Sequence, residues 1–225
     1  MKINIAIDGP SASGKSTIAK RLAIMLNYVH IDTGSMYRAT AYKALSQGVS
    51  LEDEAALVSL LDQTTFDFTA EGQLIMDGKI VGNEIRNPQC DKGASLVSKL
   101  EKVRAKLVLV QQHITEKKGF ILDGRDIGTV VLPNAELKIF QVAFLLERAK
   151  RRFTEFQTKG SPLTFDEVYE ELQARDHADS TRKHSPLKKA SDAIELDTSF
   201  MSIDETVEHI YKLYLETVER LTQHD

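Results

Sequence analysis

The stretch Ile3-Asn4-Ile5-Ala6-Ile7-Asp8-Gly9-Pro10-Ser11-Ala12-Ser13-Gly14-Lys15-Ser16-Thr17 decides the fold. Ile3, Ile5 and Ile7 alternate as in a β-strand, and Thr17 to Leu26 carries apolar residues at helical spacing. Between them lies G-x-x-x-x-G-K-S, the pattern of a loop that cradles phosphate between a strand and a helix. Its glycines let the backbone curl so that N–H groups point at phosphate oxygens, and the helix N-terminus adds partial positive charge. Gly9, Pro10, Ser11, Ala12, Ser13, Gly14, Lys15, Ser16 and Thr17 are therefore the predicted contacts to a nucleoside triphosphate, ATP or GTP. Lys15 is placed to reach the outer phosphates and Ser16 to hold Mg²⁺. An idle glycine-rich turn is the alternative, and the strand–helix setting argues against it.

Outward from this loop, strand-like runs recur at Ile3–Ile7, Tyr28–Ile31, Phe120–Leu122, Leu137–Phe140 and Ala193–Leu196, separated by helical stretches. Such alternation predicts an α/β fold with a parallel sheet and helices on both faces. Capping boxes are expected at Thr164/Glu167, opening a helix around Phe165–Arg175, and at Ser202/Glu205. The latter opens a final helix to about Leu221, with Val207, Ile210, Tyr214, Val218 and Leu221 on one stripe. Two regions break the rhythm. Between about 64 and 88, short β-type runs (Phe66-Asp67-Phe68, Leu74-Ile75-Met76, Lys79-Ile80-Val81) predict small antiparallel hairpins standing apart from the parallel sheet. Between about 148 and 189 the chain is dense in charge and poor in apolar spacing, as a lid over phosphates or simply a solvated segment.

Composition narrows the class. The 225 residues are 42% hydrophobic and 28% charged, with net charge −4, which leaves no basic footprint for nucleic acid. Cys90 stands alone, excluding an intrachain disulfide and a cysteine-based metal site. No run approaches the roughly 18 apolar residues of a membrane span, and no secretory leader is visible, so a cytoplasmic location is expected. No apolar helix face is left over, so a monomer is expected.

Three further constellations fall where a parallel sheet gathers its ligands, at the carboxyl ends of strands. Asp32-Thr33-Gly34-Ser35-Met36-Tyr37-Arg38 follows the second strand; it reads either as a helix cap or as a platform aiming Arg38 at a second phosphate. Asp123-Gly124-Arg125-Asp126 follows Phe120–Leu122, with Asp123 a candidate Mg²⁺ support and a surface ion network the alternative. Arg175, Asp179 and Arg182 share one helical face, which salt-bridge lacing of a solvated surface would also explain. Arg148, Arg151 and Arg152 pose the same choice between phosphate and solvent.

Together these blocks resemble the ordered motifs of bacterial cytidylate kinases: Gly9 to Thr17, Asp32 to Arg38, Gly82-x-Glu-Ile-Arg86, Asp123 to Val131 and Arg175 to Arg182. The resemblance spans nearly the whole chain and implies one P-loop kinase domain over 1–225. Its core would cover about 1–60, 90–147 and 190–225, with a three-stranded monophosphate-binding insertion at about 61–89 and a mobile lid at about 148–189. It implies ATP as donor, Mg²⁺, and CMP or dCMP as acceptor. Ser11, Arg38, Arg125 and Arg182 would hold the acceptor's phosphate, and Ser95, Arg104 and Asp126 its cytosine. Arg175 and Asp179 would meet the sugar, Thr33 and Tyr37 would line the acceptor site, and Arg151 would meet the donor. Lys15, Arg38, Asp123, Arg125 and Arg182 would serve transfer, with Ser16 and Asp123 at the metal. The chemistry agrees: a carboxylate accepts from the cytosine N4-amino group while an arginine donates to N3 and O2. A UMP or dephospho-coenzyme A kinase of the same loop class is the nearest rival. A regulatory GTPase is disfavoured, because Asn4, Asn27, Asn83, Asn87 and Asn134 are each followed by a residue other than lysine.

Overall fold

The computed structural model describes residues 1–158 and 160–223. In chain order the elements are β1 (Ile5–Asp8), α1 (Lys15–Leu26), β2 (Val29–Asp32), α2 (Thr33–Ser46) and α3 (Glu54–Asp62), then β3 (Phe66–Phe68), β4 (Leu74–Met76) and β5 (Lys79–Ile80). There follow α4 (Pro88–Val97), α5 (Glu101–Thr115), β6 (Phe120–Gly124), β7 (Leu137–Val142), α6 (Leu145–Thr158), α7 (Phe165–Thr181), β8 (Ile194–Asp197) and α8 (Ile203–Thr222). A five-stranded sheet runs in the order β2-β6-β1-β7-β8, every neighbouring pair parallel. Helical crossovers cover both of its faces, so its inner strands are apolar on both sides.

Strand alternation sorts the core. Ile5, Ile7, Ile121, Leu137 and Ile139 face Ile18 and Leu22 of α1 and Val207 and Ile210 of α8. Ala6, Ile31 and Leu122 face the other way, against Val108 of α5 and the π-helical turn Ile127–Val131. Four of the five strands extend beyond the apolar runs, into Asp8, Asp32, Gly124 and Asp197. Of these, Asp8 is buried and Asp32 half-buried at the carboxyl end of the sheet, whereas Asp197 is exposed at its edge.

The hairpins at 64–88 form a separate antiparallel sheet in the order β3-β4-β5. It shares a core with the rest: Leu74, Met76 and Val81 pack with Met36 of α2, Leu57 of α3 and Leu107 of α5. The charge-dense region differs from its sequence reading. It forms the helices α6 and α7, which carry their own apolar cluster of Ala149, Val168 and Leu172 flanked by Phe153, Phe156 and Phe165. Helix α7 also runs past Arg175 to Thr181, because Arg175 and Asp179 turn inward where a solvated face was the alternative. Both expected capping boxes form. The premise behind the monomer expectation does not hold: Ile24 and Met25 of α1 are exposed beside Tyr211 of α8.

Two glycines set close approaches. A Cβ on Gly9 would lie 2.1 Å from the Gln141 carbonyl oxygen, so only glycine lets the phosphate loop turn against β7. A Cβ on Gly93 of α4 would lie 2.7 Å from Cβ of Ala41 on α2. Gly93→Val is expected to wedge these helices apart and cost about 1–3 kcal/mol of stability, read by urea unfolding. A variant as stable as the parent would refute this packing.

Candidate active site

The phosphate loop leaves β1 through Gly9 and closes onto α1 with Gly14 in the left-handed region at φ 93°. Lys15 folds back over it, its Nζ donating to the Pro10 carbonyl at 2.6 Å and to Ser13 Oγ at 3.2 Å. Burial, reinforced by the nearby Arg125 charge, pulls the Lys15 ammonium down to about 7. The loop is braced from behind. Gln141 Nε2 donates to the Ser13 carbonyl at 2.5 Å, and Arg148 Nη1 donates to the Ser11 carbonyl at 3.0 Å.

Beside the loop opens a cavity of about 420 Å³, lined by Ser13, Gly14 and Thr17, by Arg151 from α6, and by Thr198 and Met201 after β8. Arg151 Nη2 donates to the Thr198 and Ser199 carbonyls at 2.6 and 2.9 Å, closing one wall. The three arginines of α6 differ in setting: Arg148 is buried against Asp176 at 2.6 Å, whereas Arg151 and Arg152 both border the cavity, Arg152 pairing with Glu155 and lying over the Phe156 ring.

Asp123 is the hub between loop and sheet. Its carboxylate accepts from Ser16 Oγ at 2.7 Å and meets His30 Nε2 at 2.6 Å, and its main-chain oxygen accepts from Thr33 Oγ1 at 2.9 Å. Burial pushes the Asp123 carboxyl up, but the His30 hydrogen bond and charge, with Lys15 and Ser16, outweigh it and hold the group below its ordinary value. His30 responds in kind: burial pulls its imidazole down, yet Asp123 raises it above the usual histidine range. One hydroxyl and one ionised carboxylate form a hard-oxygen set suited to Mg²⁺ that shares substrate phosphates and water.

Across the rim, Arg104 Nη2 pairs with Asp126 Oδ1 at 2.5 Å, the two side chains only 6% and 4% exposed. Arg104 also donates to the Ser98 carbonyl at 3.2 Å and lies 5.4 Å over the Tyr37 ring. Burial pushes the Tyr37 phenol up to about 12. Arg182 turns inward at the end of α7, with Nη2 3.9 Å from Asp126 Oδ1 and Nε donating to the Ser185 carbonyl. Arg125 Nε donates to Asp179 Oδ2 at 2.7 Å, and Arg38 Nη2 to Asp32 Oδ2 at 2.5 Å. Arg104 Nε, Asp126 Oδ2, Arg182 Nη2 and Arg38 Nε are buried without a hydrogen-bond partner. Unsatisfied buried polar atoms cost about 1–3 kcal/mol each, and those on Arg104, Asp126 and Arg182, which lie together around Asp126 Oδ1, leave that cluster open to a further polar partner.

The structure thus gathers Lys15, Ser16 and Asp123 at the phosphate loop, and Arg104, Asp126, Tyr37 and Arg182 in a second cluster across the rim. Arg38, Arg125 and Asp179 are paired near them, and Arg175 is half-buried, its guanidinium pulled down by burial and the Arg125 charge. Ser95 sits half-buried on α4, one turn before the Ser98 carbonyl that receives Arg104. The Thr33 hydroxyl is engaged by main chain. Sequence reasoning missed His30, Gln141 and Asp176 as site residues, and left Arg148 open between phosphate and solvent. Only His30 left a signal, two residues before Asp32 on the same face of β2.

A parallel sheet with a phosphate loop after β1, a hard-oxygen pair behind it and a second polar pocket across the rim defines a P-loop kinase of small molecules. The family model for cytidylate kinase matches residues 5–216. A cytidylate kinase of Bacillus pumilus is 51% identical over 207 residues, covering 91% of this chain and 92% of its own. One from Caldicellulosiruptor bescii is 46% identical over 220 residues, covering 96% and 97%. The chain belongs to the cytidylate kinase family. A solved structure of an uncharacterized protein from Eubacterium ventriosum, 13% identical, shares the fold with a TM-score of 0.53 over 95% of this chain and 98% of its own.

The Arg125–Asp179 pair ties α7 to the end of β6. Burial pushes the Asp179 carboxyl up, but the Arg125 charge and hydrogen bond outweigh it and hold the group below the ordinary carboxylate range. The native state therefore gains stability from ionised Asp179 above pH about 4, and loses it as pH falls through the lowered native value. Asp179→Asn is expected to destabilise by about 1.5–3 kcal/mol at pH 7, with the gap to the parent closing in acid. Denaturant unfolding at pH 7, 4 and 3 checks this; a gap independent of pH would refute it.

Proposed function

We propose that the protein transfers the γ-phosphoryl group of ATP to the 5′-phosphate of CMP or dCMP. The buried Arg104–Asp126 pair, with Arg104 Nε and Asp126 Oδ2 left unpartnered, is the observation that carries this reading. Asp126 Oδ2 suits the cytosine amino group, while Arg104 suits N3 and O2. Uracil would set O4 against the carboxylate and an N–H against the guanidinium, leaving buried polar groups unpaired.

In this reading Lys15 and the loop amides hold the donor phosphates, and Arg151 with the Thr198–Met201 segment holds the donor base. Ser16 and Asp123 would hold Mg²⁺, which when bound supplies charge neutralisation at the β- and γ-phosphates. Arg38, Arg125 and Arg182, with Ser11, take the acceptor phosphate; Arg175 and Asp179 take the sugar; Tyr37 and Ser95 line the base. The acceptor phosphate is anionic near neutral pH, so these residues position and neutralise without a general base. The lid at about 148–189 and the insertion at about 61–89 would close over both substrates to exclude water. No helix among the described residues is long and apolar enough to cross a membrane. We place the enzyme in the cytoplasm, acting on small molecules rather than on nucleic acid.

A coupled ADP-release assay over CMP, dCMP, UMP, AMP, GMP and dTMP tests the reading, with turnover expected for the two cytidine nucleotides. UMP turned over as fast as CMP would sink it. Lys15→Ala is expected to lower kcat by at least about a hundredfold while leaving the fold intact by circular dichroism. Chelation should abolish turnover and Mg²⁺ should restore it; activity that survives chelation would exclude the metal.

A further inference from the structure

Asp8 is a buried carboxylate to which the transfer chemistry assigns nothing. It is the last residue of β1, paired laterally with Gly124 of β6 and Phe140 of β7, so it lies inside the sheet rather than at its margin. Its two oxygens grip consecutive amides: Oδ1 accepts the Ile127 N–H and Oδ2 the Gly128 N–H, each at 2.7 Å. These are the two residues directly after Asp126. The Asp126 carbonyl in turn accepts from the Val130 and Val131 amides, so the π-helical turn and Asp8 hold its backbone from opposite ends. On its other flank Asp8 continues into Gly9, pinned against the Gln141 carbonyl.

From this geometry we infer that Asp8 is a positioning residue that fixes Asp126, and with it the base-reading pocket, in register with the phosphate loop. The inference rests on Asp126 reading the acceptor base. A purely structural cap would not need a charge here, since a neutral side chain could accept one amide without the desolvation that pushes the Asp8 carboxyl up to about 6. Lys15 and Asp126 are the charged groups that face it. A costly buried charge at a strand end, gripping the loop that carries a specificity residue, is the signature of a site kept for geometry rather than for stability.

Asp8→Asn keeps the shape and replaces one accepting oxygen by a donor set against an amide. The expected result is about a tenfold fall in the CMP-to-UMP ratio of kcat/KM. It should arise through KM for CMP, with KM for ATP within about twofold and Tm within about 3 °C of the parent. Asp126→Ala is measured in parallel. If Asp126→Ala loses the ratio and Asp8→Asn keeps it, the positioning role is overturned while base reading stands. If Asp126→Ala itself keeps the ratio, base reading fails and the inference falls with it. Equal rises in KM for both substrates would reduce Asp8 to a general support and also overturn it. Asp8→Ser, smaller and neutral, replaces Asp8→Asn should the latter not fold. Failure of both to fold assigns Asp8 to the fold alone and refutes the proposal.

Discussion

The parallel register of β6 between β1 and β2 is the constraint on which the rest depends. It sets Asp123 beside Ile7 and Asp32, and Gly124 beside Asp8, so three strands deliver their carboxylates to one rim within a residue of each other. Apolar side chains fill both faces beneath, and at the carboxyl end the buried Asp8 and Asp123 find backbone amides, Ser16 and His30 as partners. A slip of one residue would reverse which side chains face α1 and which face α5. It would also carry Asp123 away from Ser16 and His30.

Crowding charge at that rim has electrostatic consequences that oppose one another in a useful way. Burial drives Asp8 up and Lys15 down, whereas partners drive Asp123 and Asp179 down against their own burial. The outcome is a set of arginines and carboxylates already paired: Arg38 with Asp32, Arg125 with Asp179, Arg104 with Asp126. A substrate phosphate brings two or more charge-assisted contacts to such arginines without the site having to reorganise. Phosphoryl transfer asks for this kind of preorganisation, since the acceptor needs no proton removed.

What was legible in the sequence was whatever has a local cause. The phosphate loop, the strands, the 64–88 hairpins and both capping boxes rest on spacing within a few residues, and they stand where the sequence put them, shifted by a residue or two. Helix α7 ran longer than read because the inward turn of Asp179 rests on Arg125, 54 positions away. Gln141 was invisible for the same reason. A lone glutamine in an apolar strand carries no pattern, yet it joins Ser13 to Thr198 at the cavity beside the phosphate loop. The exposed Ile24 and Met25 were hidden by the opposite effect: helical spacing suggested a burying face, and α8 covers only part of it.

The Arg104–Asp126 pair shows why the class was readable before the geometry but its basis was not. Asp126 and Arg104 are 22 residues apart in sequence and meet only because α5 packs against the turn that follows β6. Once they meet, their pairing is incomplete by construction: Asp126 spends one oxygen on Arg104 and keeps the other unpartnered, and Arg104 keeps Nε unpartnered. A fully satisfied ion pair would be a structural clasp, closed to any ligand. A half-satisfied one in a buried pocket is unfavourable alone and becomes favourable only with a partner presenting a donor beside acceptors. Cytosine presents that edge and uracil presents its inverse, so under the proposed base-reading role the strain left in the folded chain would itself be the source of discrimination.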